Sequence, residues 1–122
     1  MKILLLSDAN SSHTLKWALS LNKQGMNILL FSLFKPNQEA TKKYEEFGIK
    51  ILSSDLQSKI KDLRRPNLSK LNYLLSLRLL KKTISSFKPD ILHAHYASSY
   101  GILGYLSKFR PFLISVWGSD IY

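Results

Sequence analysis

Five short apolar stretches recur along the chain, at residues 2–7, 27–33, 49–53, 91–95 and 112–116. Each is too short for a core helix and is bounded by turn-forming residues, a pattern typical of strands in a sheet. The first stretch is apolar at nearly every position, so both faces of that strand are expected to be buried, as in the centre of a parallel sheet. We therefore predict five strands.

Helical spacing of apolar residues fills the first two gaps between these strands. Either Ser12 or Thr14 is expected to cap the first helix, which runs to about residue 22 and is followed by Gly25. Pro36 and Asn37 open the second helix, and Gly48 closes it. Both glycines supply the left-handed residue that commonly ends a helix.

The later gaps contain a long and a short helix. Residues 54–67 lose clear periodicity and predict a basic loop. The long helix that follows has an inward face expected to consist of Tyr73, Leu77, Leu80, Ile84 and Phe87. Its outward face is expected to carry Arg78, Lys81, Lys82 and Ser85. Ser98 or Ser99 is expected to cap the short helix, which runs to about residue 109.

Strands and helices alternate along the whole chain, which predicts an α/β fold: one Rossmann-like domain with a doubly wound parallel sheet. The simplest strand order is 3-2-1-4-5, in which the first and fourth strands are neighbours. Ligands of such sheets bind outside the carboxyl ends of the strands, where the winding reverses. We therefore expect a crevice lined by residues 8–13 and 95–99.

Composition narrows the class of protein. The chain has 122 residues, enough for one domain with its own core, and no cysteine, which excludes disulfides and thiolate metal sites. Its N-terminal apolar run is too short for a signal peptide. Residues 28–34, the longest candidate span, fall far short of the roughly 20 residues of a membrane helix. We expect neither export nor a membrane span.

The net charge of +10 is concentrated in one segment. Residues 57–88 contain nine lysine or arginine residues and one acidic residue, Asp62. Such a segment attracts an anionic surface, and anionic lipid, polyphosphate and nucleic acid are all candidate partners. A solvated face without a partner is the alternative.

Three familiar catalytic motifs are absent from the sequence. The turn after the first strand reads D-A-N-S-S-H, without the glycines that a dinucleotide-binding turn or a P-loop needs at that point. No Gly-x-Ser-x-Gly elbow occurs in the chain. We therefore set a nicotinamide-dependent dehydrogenase and the other two classes aside.

Histidines near the expected crevice are the first candidate site residues. His95 ends the fourth strand and His13 begins the first helix, so either could touch a ligand, and a packing role is the alternative for each. His93 is expected to hydrogen-bond within the fold. We expect His93 and His95 to point to opposite faces of the strand, which would keep them from binding one metal ion together.

A second polar cluster, W-G-S-D at residues 117–120, follows the fifth strand. Asp120 is a candidate base, although capping a helix is the simpler role for Ser119 or Asp120. Trp117 and Tyr96 could stack on a sugar ring, with core packing as the alternative. Gly118 permits a sharp turn.

Three segments combine into a wider pattern: S-S-H-T-L-K-W after the first strand, K-P-D-I-L-H-A-H-Y with the following S-S-Y-G, and S-V-W-G-S-D-I near the end. In order and spacing, over nearly the whole chain, they resemble the N-terminal domain of family 4 glycosyltransferases of GT-B fold. The resemblance implies the acceptor-side half of a two-domain enzyme. The C-terminal domain, which binds the nucleotide-sugar, is missing from residues 1–122, and the chain alone is expected to be inactive.

The resemblance further implies transfer of a hexosyl-type sugar to a polysaccharide or lipid-linked glycan, with a nucleotide-sugar as co-substrate and neither cofactor nor metal. The catalytic candidates are then His95 and Asp120. The candidates for binding acceptor or donor are Asp8, Asn10, Ser12, His13, Tyr96, Ser98, Ser99, Trp117, Gly118 and Ser119. The chain departs from the family pattern at Trp117, where many members carry histidine, and in its first turn, where many carry a glycine pair.

Enzymes of this family often act on lipid-linked acceptors at the inner face of the cytoplasmic membrane, so the resemblance gives the basic segment a partner. Peripheral attachment to an anionic membrane is expected through Lys59, Lys61, Arg64, Arg65, Arg78, Lys81 and Lys82. Nucleic acid is not the expected partner. The alternative is a non-enzymatic Rossmann-like module that binds nucleic acid or another polyanion through residues 57–88.

Overall fold

Strands and helices alternate in the computed structural model, which describes residues 1–54, 66–95 and 99–115. The elements are β1 (Lys2–Leu6), α1 (Ser12–Lys23), β2 (Asn27–Ser32), α2 (Gln38–Glu46), β3 (Lys50–Ser53), α3 (Pro66–Phe87), β4 (Ile91–His95), α4 (Ser99–Leu106) and β5 (Phe112–Ser115). The predicted alternation is confirmed, and the last helix ends three residues earlier than expected. Most of the predicted basic loop, and Val116 of the fifth strand, lie outside the described residues.

All five strands are parallel and lie in the order β3-β2-β1-β4-β5, as predicted. The two halves of the sheet meet where β1 pairs with β4. Because the winding reverses between these two strands, their carboxyl ends form the edge at which ligands of such sheets bind.

Helices α1 and α2 cover one face of the sheet. Ile3 and Leu5 of β1 and Leu30 of β2 pack there against Ala18 of α1 and Tyr44 of α2. Alternate residues of a strand point to opposite faces, so the odd-numbered apolar residues of β1 belong to this cluster. The α1–α2 face therefore has an apolar core over β1, β2 and β3.

Helices α3 and α4 cover the other face. Leu4 and Leu6 of β1 and Leu92 of β4 pack there against Leu80 of α3 and Leu103 of α4. Four of the predicted inward residues of α3 lie in or against this core: Leu77, Leu80, Ile84 and Phe87. The fifth, Tyr73, has a side chain outside the described part. The predicted outward residues, Arg78, Lys81, Lys82 and Ser85, are all exposed.

The cap of α1 differs from the prediction. Ser11 precedes the helix in extended conformation, and its side chain makes no capping hydrogen bond. Ser12 is thus the first helical residue, and Thr14 is buried in the first turn, where its hydroxyl meets that of Ser7. Several polar residues in succession offered equivalent caps, and Thr14 makes a tertiary contact in place of a capping bond.

The second helix begins at the second of the two predicted opening residues, so that Pro36 lies before the cap, and it ends as predicted. Asn37 caps α2 through its side-chain oxygen, which accepts a hydrogen bond from the backbone N–H of Ala40 at 2.7 Å. Gly48 follows the helix with φ +69°, the left-handed conformation that ends many helices.

Helix α4 lies very close to β5. A methyl group added at Gly104 would clash with the ring of Phe112 and would also come within 3.3 Å of Leu6 Cδ1. The absence of a side chain at this position therefore lets α4 approach the sheet.

Candidate functional site

The loop after β1 is held in one shape by its own polar groups. The Asp8 carboxylate accepts a hydrogen bond from the backbone N–H of Asn10 at 3.0 Å, and the Asp8 carbonyl accepts one from the N–H of Ser11 at 3.1 Å. The Asn10 side chain donates to the Lys35 carbonyl at 3.2 Å and accepts from the N–H of Asn37 at 2.8 Å. Asn10 thereby ties the loop after β1 to the loop after β2.

The buried Tyr44 of α2 supports the loop after β1. Its hydroxyl donates to the carbonyl of Ala9 at 3.2 Å, and the N–H of Ala9 donates to Ser32 Oγ at 3.2 Å. Burial, and then the negative charge of Asp8, raise the pKa of Tyr44 well above its ordinary value. The tyrosine therefore stays neutral and keeps its proton for this bond.

A buried chain of hydrogen bonds joins β4, β1 and α1 at the carboxyl edge. His95 Nδ1 lies 3.0 Å from Ser7 Oγ, and Ser7 Oγ lies 2.5 Å from Thr14 Oγ1. All three side chains are fully buried. Leu6 pairs with Ala94, so the next residues along the two strands, Ser7 and His95, meet on the same face.

His93 and His95 lie side by side, and the expectation that they point to opposite faces is wrong. Residues two apart on a strand share a face, and the centroids of these two rings are 5.0 Å apart in an edge-to-face arrangement. His93 Nε2 lies 2.7 Å from Ser115 Oγ of β5, which bears out the expected hydrogen bond within the fold. Within the described residues, no group of three metal-ligating side chains accompanies the pair.

Trp17 of α1 packs its indole ring over both histidines. The ring centroids lie 5.7 Å from that of His93 and 5.8 Å from that of His95, both edge-to-face. Trp17 remains 37% exposed, whereas His95 beside it is fully buried.

Both histidines are held in the neutral form. The pKa of His95 falls to about 4, first because burial disfavours the charged ring and then because His93 and His13 lie close enough to repel its positive charge. Burial lowers the pKa of His93 as well. At pH 7 each ring therefore has one N–H donor and one acceptor nitrogen.

The structure brings several predicted site residues to one edge. Asp8, Asn10, Ser12 and His13 lie on the loop and first turn between β1 and α1, next to His95 at the end of β4. Ser12 and His13 are exposed, whereas His95 is 0% exposed. Ser99 begins α4, and its side chain is outside the described part. The remaining predictions also fall outside the described residues: Tyr96, Ser98, Trp117, Gly118, Ser119 and Asp120.

The structure describes some of the predicted anion-binding residues and not others. Arg78, Lys81 and Lys82 lie exposed on α3, and Lys59, Lys61, Arg64 and Arg65 fall outside the described residues. Among the helices of the described ranges, none has the length and apolar character that crossing a bilayer requires.

Four side chains around His93 and His95 were not predicted from the sequence: Ser7, Thr14 as a hydrogen-bond partner, Trp17 and Ser115. In the sequence, Ser7 is identified only as the end of an apolar strand, and Trp17 is identified only as a residue on the flank of a helix. The pairing of β1 with β4 could have identified Ser7, because the predicted strand order makes these strands neighbours. The contact of Trp17 with the histidines depends on how α1 crosses the sheet, which no local pattern indicates.

Comparison with known proteins gives one family. The family model described as "Glycosyl transferase 4-like" matches residues 2–122. A search among curated proteins gives no match.

Proposed function

Because the chain belongs to the glycosyl transferase 4-like family, whose function is of the glycosyltransferase type, we propose that it forms the acceptor-side half of such an enzyme. In this proposal a hexosyl-type sugar passes from a nucleotide-sugar to a polysaccharide or lipid-linked glycan. The nucleotide-sugar is a co-substrate, and neither a metal nor a further cofactor takes part. A second domain outside this chain binds the donor, so the chain alone has no turnover.

The observation that carries the proposal is the polar cluster at the carboxyl ends of β1 and β4. Ser7, Thr14 and His95 are fully buried there, and the row of the sheet that contains Ser7 and His95 is polar on every strand, with Ser53, Ser32 and Ser115 at the corresponding positions. Burying polar groups costs free energy even when they are paired, so an apolar packing would serve stability at least as well. Polar groups at the ligand edge of a parallel sheet favour a binding role.

We assign ligand contact to Ser12 and His13. Both are exposed in the first turn of α1, where backbone N–H groups without helical partners favour an anionic group such as a donor phosphate. His13 also lies close enough to His95 to lower its pKa. The imidazole of His13 could donate a hydrogen bond to a phosphate oxygen or accept one from an acceptor hydroxyl.

We assign positioning roles to Asn10, Asp8 and His95. The side chains of Asp8 and Asn10 are committed to the loop after β1, and His95 is buried behind the first turn of α1. Through Ser7, His95 fixes the end of β1 and hence the start of that loop. The predicted catalytic role of His95, like that of Asp120, stays a prediction.

The test measures sugar transfer from a panel of nucleotide-sugars by this chain, and by the chain extended with the sequence that follows Tyr122 in its gene. We expect turnover only from the extended protein. His13→Ala should lower kcat/KM about tenfold or more. Lys23→Ala, at the other end of α1, is the matched control and should leave kcat/KM unchanged. Absence of transfer from every donor, or an equal loss in both variants, would contradict the proposal.

We further propose that α3 and α4 face an anionic membrane at its cytoplasmic side. Neither helix contains an acidic residue. Exposed Lys81 and Lys82 of α3 share this face with exposed Ile102 and Tyr105 of α4. Basic residues near an anionic surface contribute roughly 1 kcal/mol each, and exposed apolar side chains add insertion into the headgroup region.

Sedimentation with vesicles tests the membrane proposal. The protein should bind vesicles that contain phosphatidylglycerol and not vesicles of phosphatidylcholine alone. Ile102→Ser together with Tyr105→Ser should weaken binding, whereas Phe47→Ser, an exposed apolar residue beyond the end of α2, should not. Equal binding of duplex DNA, with a steep salt dependence, would instead favour the polyanion-binding alternative.

A further inference from the structure

A groove of about 700 Å³ opens at the amino ends of β1, β2 and β3, beneath the C-terminal half of α3. It lies at the edge of the sheet opposite the candidate site, because the strands are parallel and the candidate site is at their carboxyl ends. Nothing in the proposed glycosyl transfer uses this groove. Its volume falls within the range of small-molecule sites, about 300 to 1,000 Å³.

The floor of the groove is apolar. Leu29 and Leu52 come from neighbouring strands, and Leu79 and Phe87 come from α3. Thr83 lies between them on the helix, but its hydroxyl donates to the Leu79 carbonyl at 2.7 Å. That hydroxyl is thus already paired within the helix.

The rim of the groove is cationic. Lys2, Lys50 and Lys82 line it, and none of its described lining residues is acidic. Lys2 is held in place, because its Nζ lies 3.4 Å from the Phe87 carbonyl and 5.6 Å from the centroid of the Phe87 ring. Asp90, the acid beside Lys2, accepts a hydrogen bond from the Lys2 backbone N–H at 2.7 Å.

We propose that this groove binds a single-chain anionic amphiphile. The acyl chain lies along the apolar floor, and a phosphate or carboxylate headgroup pairs with the lysines at the rim. A neutral apolar ligand would leave the three ammonium groups without a counter-charge, and a free anion would leave the floor hydrated. An amphiphile satisfies both parts of the groove at once.

Titration calorimetry with dodecyl phosphate, below its critical micelle concentration, tests the proposal. We expect saturable binding of one molecule per chain. Because both parts of the ligand contribute, binding should be about tenfold or more tighter than that of inorganic phosphate, which lacks the chain, and of dodecyl maltoside, which lacks the charge. Equal binding of inorganic phosphate would show a surface anion contact only and would overturn the proposal.

Two pairs of variants distinguish binding in the groove from a general effect of charge and from binding elsewhere on α3. Lys2→Glu with Lys50→Glu should weaken dodecyl phosphate binding about tenfold or more, whereas Lys23→Glu with Lys42→Glu, the same charge change on α1 and α2, should not. Ser86→Trp should block the groove, which Ser86 lines. Ser85→Trp, on the adjacent exposed position, should not block it.

The results for these variants either support or overturn the proposal that the groove binds an amphiphile. An equal loss in both charge variants would mean that dodecyl phosphate responds to net charge, and the proposal would fail. Unchanged binding in Ser86→Trp would also overturn it, because the chain would then lie elsewhere. A thermal unfolding curve for each variant ensures that a loss of binding is scored only for folded protein.

Discussion

One row of side chains crosses all five strands on the α1–α2 face, and burial changes along it between β1 and β4. From one edge to the other the row contains Ile51, Leu30, Leu5, His93 and Leu113. Leu30 and Leu5 are fully buried, whereas His93 is half-buried and Leu113 is 53% exposed. The same row thus changes from closed apolar core to open, partly polar surface between β1 and β4.

The difference follows from what covers each half. Helices α1 and α2 pack over β1, β2 and β3, and in the described structure the indole of Trp17 is the cover over His93 and His95. Apolar residues stabilise the covered half by burial, whereas the β4–β5 half presents groups that can donate, accept or titrate. One sheet face therefore combines a stabilising region with a region suited to binding.

The largest expected contrast in stability compares two leucines of this row. Leu5→Ala should lower the free energy of unfolding by about 3 kcal/mol, because it removes a fully buried side chain and leaves a cavity. Leu113→Ala should change it by less than about 0.5 kcal/mol, since that side chain is largely exposed. Urea unfolding of both variants measures the difference. Comparable losses would mean that Leu113 is covered in solution.

Acid should destabilise the histidine half specifically. Well above pH 6.5 His95 is neutral in both the folded and the unfolded chain. As the pH falls through 6.5 towards about 4, the unfolded chain binds the proton and the folded chain does not, so stability falls with pH. Below both values the loss is complete, and a shift of this size corresponds to roughly 3 kcal/mol. Unfolding free energies at pH 7, 5.5 and 4 should fall less in His95→Gln than in the unmodified chain. Parallel pH curves would assign the acid sensitivity to other groups.

A smaller loss in the free energy of unfolding is expected when the Ser7 hydroxyl, which links α1 to β4, is removed. Ser7→Ala leaves Thr14 and His95 without the hydroxyl that joins them, at a cost of about 1 to 2 kcal/mol. Ser20→Ala, on the exposed side of α1, is the control and should have almost no effect. The nitrogen chemical shifts of the His95 ring should change in the first variant, because its Nδ1 partner is lost. If they do not change, Ser7 does not hold that ring.

The last expected effect concerns the indole cover, and it is a change in two pKa values. Trp17→Ala should admit water to the two imidazoles and raise the pKa values of His93 and His95 towards 6.5, because burial is the main cause of their depression. Proton NMR titration measures both values. Phe47→Ala, also exposed and remote from these rings, should move neither. An unchanged His95 would mean that the sheet and helix α1, without the indole, exclude the water.

Much of this arrangement could be predicted from the sequence. Alternating short apolar runs and helical spacing gave the elements, and the handedness of the crossovers left few strand orders to consider. Asn37 and Gly48 bounded α2 correctly because a cap and a left-handed glycine act locally. The family assignment likewise depended on short segments whose order and spacing survive in the chain.

What local patterns could not give is the contact between elements. Thr14 was a plausible cap by its own neighbourhood, yet its hydroxyl is held by Ser7 on another element. The position of Trp17 over the histidines depends on how α1 crosses β4, a choice made by the whole core. The prediction that His93 and His95 point to opposite faces did not fail for lack of tertiary information. The two-residue period of a strand already places both side chains on one face.

The close fit of Gly104 against Phe112 has a consequence for how this domain can diverge. A side chain at position 104 cannot be accommodated while the phenylalanine ring occupies its present place. Descendants of this sequence should therefore keep glycine and phenylalanine together or exchange both, with a smaller residue at 112 arriving first. The two positions should therefore change as a single evolutionary unit, although they lie eight positions apart along the chain.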